Sequence, residues 1–75
     1  MKIKNDSFKD THIGNIFIHD KSIFRRIEPG SHVSHNCHGY AIILYVSPHA
    51  RIQHTRFQLI GFLDWDVVEI IERSF

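Results

Sequence analysis

Asp66-Val67-Val68-Glu69-Ile70-Ile71-Glu72 is the stretch on which the fold turns, because it satisfies two patterns at once. Asp66 stands three residues before Glu69, a weak capping-box spacing, and Val67, Val68, Ile71 and Phe75 then share one helical face. Yet Val67, Val68, Ile70 and Ile71 are all β-branched, and such side chains lose χ1 freedom in a helix while packing well on a pleated surface. The capping spacing tips the reading narrowly to a short C-terminal helix. Just upstream the pattern is equally two-sided: Ile52, Leu59, Ile60 and Leu63 fit a helical stripe, whereas Phe57, Leu59, Gly61 and Leu63 fit one face of a strand. Residues 51–75 therefore stay open between helix and strand.

Further upstream the signals are those of strands. Ile13, Ile16, Phe17 and Ile18, then Ile23, Phe24 and Ile27, flank His19-Asp20-Lys21-Ser22, which reads as a hairpin connection. Glu28-Pro29-Gly30-Ser31 reads as a turn, since Pro29 presets φ and Gly30 tolerates φ > 0. Tyr40-Ala41-Ile42-Ile43-Leu44-Tyr45-Val46 is an apolar run of strand length without polar alternation, the pattern of a central strand. The expectation is a single α+β domain over residues 1–75: a small antiparallel sheet of three to four strands with a C-terminal helix, the alternative being a small all-β barrel. The polar stretch 1–11 reads as a loosely ordered N-terminal arm.

Seventy-five residues allow one core. The chain is 43% hydrophobic and 23% charged, a globular balance. Cys37 is the only cysteine, so no internal disulfide can form, and support has to come from packing, a metal or a partner subunit. The N-terminal residues lack the apolar segment of a secretory signal, and no apolar run approaches the roughly 20 residues of a membrane span. With a lone thiol, these features lead to the expectation of a cytoplasmic protein without membrane contact. The formal net charge of +1 announces no nucleic-acid partner, but Asp64, Asp66, Glu69 and Glu72 make the C-terminal end acidic.

Three sets of residues could carry function. His32, His35, Cys37 and His38 lie within seven positions between Gly30 and Gly39 and offer the nitrogen and sulfur donors of a zinc site. In an extended segment, however, His35 and Cys37 face away from His32 and His38. Cys37 beside His35 and His38 also suggests a thiolate pair, without any sign of an oxyanion hole. For nucleic acid, Arg25, Arg26, Arg51 and Arg56 could contact phosphates while Tyr40, Tyr45 and Phe57 stack on bases. For a protein partner, Trp65 between Asp64 and Asp66, with Glu69 and Phe62, offers an aromatic anchor in an acidic surround. Phe17, Phe24, Phe57, Phe62, Trp65 and Phe75 exceed what so small a core readily covers.

Gly30-Ser31-His32, the apolar run, Pro48-His49, and Thr55 ahead of Leu59-Ile60 resemble fragments of the HicA-type mRNA interferase toxins over residues 26–60. The resemblance implies a small double-stranded-RNA-binding-like fold with His32 as a catalytic histidine. That family opens with a helix before its Gly-Ser-His, where this sequence has its β-rich run. The reading that results leans away from an enzyme. It is a small non-enzymatic protein-binding regulatory or inhibitor module, acting on another protein or as a homodimer through Trp65, Asp64, Asp66, Glu69 and Phe62. The alternatives are an RNA-binding protein or ribonuclease toxin using His32 with Arg25, Arg26, Arg51, Arg56 and Tyr40, and a zinc-binding module. Zinc is the sole cofactor the residues suggest.

Overall fold

A computed structural model of the chain describes residues 2–28 and 37–72. Its elements are β1 (Lys2–Ser7), one turn of 3₁₀ helix (Phe8–Asp10), β2 (Ile16–His19), β3 (Ser22–Ile27), β4 (Gly39–Tyr45), β5 (Leu59–Phe62) and β6 (Val67–Glu72). All six strands join one antiparallel sheet in the order β1-β6-β2-β3-β4-β5. This overturns the α+β expectation: the described residues form six strands rather than three or four, and the segment read as a C-terminal helix is β6. Its β-branched run outweighs the capping spacing, because β1 and β2 flank it on both sides and take up its backbone groups. Burial follows period two, with Val68 and Ile70 inward. Asp66 does not cap a helix; its carboxylate accepts the Leu63 N–H at 2.9 Å inside the β5–β6 turn. Residues 2–7, within the stretch read as an arm, form the edge strand β1.

The all-β barrel alternative also fails, because β1 and β5 remain separate edges. The sheet is nevertheless strongly curled. In a flat sheet of this order the edges would stand roughly 24 Å apart, from a strand spacing near 4.8 Å. Here Phe8, just past β1, stacks on Phe62 of β5 with ring centroids 4.9 Å apart. The inner face holds the core: Phe8, Phe17, Phe24, Ala41, Ile43, Phe62, Val68 and Ile70. Arg26 closes one end, its guanidinium 4.5 Å over the Phe8 ring and its Nη1 donating to the Phe8 and Thr11 carbonyls and to Thr11 Oγ1.

The β2–β3 hairpin falls where the sequence placed it. Asp20 and Lys21 both have positive φ, 51° and 64°, the mirror-image turn that matches strand twist. The Pro29-Gly30-Ser31 turn lies outside the described residues. No helix among the described residues is long and apolar enough to cross a membrane.

Candidate functional site

One line of paired side chains runs across the whole sheet. Ile3 on β1 faces Ile71 on β6, and Ile71 faces Ile16 on β2. Ile16 faces Arg25 on β3, Arg25 faces Ile42 on β4, and Ile42 faces Leu59 on β5. Directly opposed residues share a face, and this one lies opposite the core. A second line, Asn5, Glu69, Ile18, Ile23 and Tyr45, runs beside it. A one-layer antiparallel sheet ordinarily alternates apolar inward with polar outward. Here the outer face is also apolar: Ile3 is 58% exposed, Tyr45 50%, Leu59 50% and Val67 70%, while the isoleucines on the inner strands are half-buried by one another. Four of these side chains are half or more exposed, the kind of apolar surface that marks an interaction site. The two lines contain two charges, Arg25 on β3 and Glu69 on β6, placed on either side of β2.

The residues singled out in the sequence do not form one surface. Trp65 is 66% exposed at the β5–β6 turn, its ring edge-on to His38 at 5.2 Å. The Asp64 N–H donates to His38 Nδ1 at 2.9 Å, so in that state Nδ1 carries no proton for the Asp64 carboxylate 3.6 Å away. Asp66 is a turn residue, and Glu69 lies on the outer face. Phe62 is 3% exposed and packs among Phe8, Phe17, Phe24 and His19.

The nucleic-acid set is likewise dispersed. Arg25 is on the outer face, Arg26 closes the core, Tyr40 is 7% exposed, and Arg56 rests 4.8 Å over the Phe57 ring. Of the metal set, His32 and His35 lie outside the described residues. Cys37 packs against Gly61, and His38 pairs with the Asp64–Trp65 turn. Among the described residues no three His, Cys, Asp or Glu side chains gather as metal ligands. The helical opening implied by the HicA-like fragments is absent, since β2 and β3 occupy that part of the chain.

The outer face escaped the sequence reading, although its signal was present. Ile16-Phe17-Ile18, Ile23-Phe24 and Ile70-Ile71 supply adjacent apolar residues to both faces of their strands. Such runs read as strands buried on both sides, and among the described residues the core lies on one face, with Cys37 and Tyr40 packed over Gly61 on the other. Compared with protein-family models, curated proteins and solved structures, the chain matches none.

Proposed function

We propose that this protein is a non-enzymatic protein-interaction module that pairs with a second copy of itself through the outer face of the sheet. The observation that carries this reading is the two-line apolar face with its two opposite charges. Arg25 lies one strand beyond Ile16, and Glu69 lies one strand beyond Ile18 on the other side. The midpoint of the two charges therefore falls on β2, between Ile16 and Ile18. A two-fold axis in the interface plane, through that point and perpendicular to the Arg25–Glu69 line, sets Arg25 of one copy over Glu69 of the other, twice. The face is thus self-complementary, as an isologous interface requires. Strands of the two sheets would cross steeply, nearer to orthogonal than to aligned packing.

Apolar burial supplies the affinity, and the charge pairs set the register.

Sedimentation velocity of the full chain over a concentration series tests this. The parent should shift from monomer to dimer as concentration rises. Arg25→Glu should dissociate the dimer by opposing two carboxylates, and Arg25→Glu combined with Glu69→Arg should restore it. A parent that stays monomeric, or a swap that restores nothing, overturns the proposal.

A further inference from the structure

The two edges of the sheet differ in chemistry. On β1, Lys4 and Asp6 stand opposite Ile70 and Val68, on the inward side, and pair with each other at 3.2 Å. Inward-pointing charge is one way in which native edges refuse a further strand. β5, Leu59-Ile60-Gly61-Phe62, carries no charge. Its backbone is open as well. The Ile43 N–H donates to the Gln58 carbonyl at 3.1 Å and the His38 N–H to the Phe62 carbonyl at 2.9 Å, so Gln58, Phe62 and Ile60 between them turn their polar groups to β4. By the alternation of an antiparallel ladder, the N–H and C=O groups of Leu59 and Gly61 point away from the sheet. Among the described residues nothing takes them up. Leu59 and Gly61 are both exposed, and a groove of about 740 Å³ opens beside Ile60, Gly61 and Phe62. Where the chain enters β5, Phe57 has a φ of +67°, the left-handed conformation that suits glycine, with its ring 57% exposed. Strain of this kind gathers at functional sites.

We propose that β5 pairs antiparallel with β5 of a second copy, across a two-fold axis at Ile60, so that one sheet continues through both copies. In that register Leu59 of each copy exchanges both backbone bonds with Gly61 of the other, and the two Ile60 residues meet as the non-hydrogen-bonded pair between them. Each Leu59 then lies beside a glycine, which has no side chain to crowd it. The edge is thus self-matching, as an isologous contact requires. Carried past the strand ends, the same register sets the Arg56–Phe57 end of one copy beside Leu63–Asp64 of the other. Among the described residues Arg56 has no carboxylate partner, and its guanidinium rests 4.8 Å over the Phe57 ring at that strand end. The Asp64 carboxylate is open to it, because His38 Nδ1, 3.6 Å away, already accepts the Asp64 N–H. The pairing joins these opposite charges at both ends, and this complementarity selects a second copy over a foreign strand. The contact is separate from the pairing of outer faces. With four residues in the strand it is the weaker of the two, and it joins copies above the concentrations at which the faces pair.

Disulfide trapping at high protein concentration reads the register. In a Cys37→Ser chain, Ile60→Cys should form a covalent dimer under oxidised glutathione, because residues at a non-hydrogen-bonded site have Cα atoms about 4.5 Å apart, within disulfide reach. Leu59→Cys should form at least about fivefold less, since its two copies would stand a diagonal apart, at roughly 7–8 Å. Leu59 is the more exposed of the two, so chance collision would favour it instead. Arg56→Glu added to the Ile60→Cys chain should cut the covalent dimer by about fivefold or more, and Asp64→Arg added to both should restore it. Circular dichroism of each variant verifies the fold. Ile60 packs against the core, so pairing of outer faces does not bring its two copies together, and the two readings fail separately. Amide exchange of the unsubstituted chain supplies a second measurement: the Leu59 and Gly61 N–H groups should gain protection as concentration rises, while the free edge of β1 should not. Absence of the covalent dimer, equal linking at Leu59 and Ile60, linking unchanged by Arg56→Glu, or no gain of protection at Leu59 and Gly61 overturns the proposal and leaves the edge to a strand of a different protein.

Discussion

Replacing Phe62 with alanine separates a core role for this residue from a contact role. Phe62 is 3% exposed and touches four rings: Phe8 at 4.9 Å, Phe17 at 5.3 Å, Phe24 at 5.2 Å and His19 at 5.2 Å. A buried phenylalanine removes about 150–250 Å² from water, worth roughly 4–6 kcal/mol at 25 cal/mol per Å². Compactness of the unfolded chain, a reduction of roughly 10–40%, lowers this to about 2.5–5.5 kcal/mol. Measured Phe→Ala truncations in cores fall in the same range, about 3–5 kcal/mol. The whole stability expected for a 75-residue domain is about 4–11 kcal/mol, so Phe62→Ala removes at least about a quarter of it. Urea unfolding followed by circular dichroism measures the change. A midpoint within about half a molar of the parent's, with unchanged slope, would refute the idea that Phe62 holds the curled edge β5 to the core. Trp65→Ala, at an exposed site, should cost less than about 1 kcal/mol in the same assay.

Three further outcomes are expected. Gly39→Ala should destabilise by about 1–3 kcal/mol in urea unfolding, because a Cβ there would stand 2.5 Å from the fully buried Phe8 ring, which has no room to retreat. Lys21→Gly should stabilise by about 0.5–1 kcal/mol in thermal melts, since glycine adopts the φ of +64° without a Cβ penalty. The Arg51 and Ile52 N–H groups hold the Asp20 carboxyl below the usual carboxylate range. Its stabilising effect is therefore full above the unfolded aspartate pKa and lost as pH falls through the lower folded value. Melting temperatures of the parent and of Asp20→Asn, compared from neutral to acid pH, should converge over that acid window.

Elements whose information is local were legible in the amino-acid order alone. The β2–β3 hairpin was legible because His19-Asp20-Lys21-Ser22 interrupts two apolar β-branched runs, and Asp20 accepts a positive φ. β4 was legible from its uninterrupted apolar run. Tertiary structure decided what depends on neighbours. Whether residues 67–72 coil or extend rests on the backbone groups of β1 and β2, which the segment's own pattern does not contain. Phe62 and Trp65 are both aromatic residues near the same turn, yet the curl sends one into the core and leaves the other in solvent. The line from Ile3 to Leu59 draws one residue from each of six strands, so it comes into being only when the register is set. The Asp20 carboxylate and the Arg51 and Ile52 N–H groups, some thirty positions apart, likewise meet only because the β4–β5 connection folds back onto the hairpin.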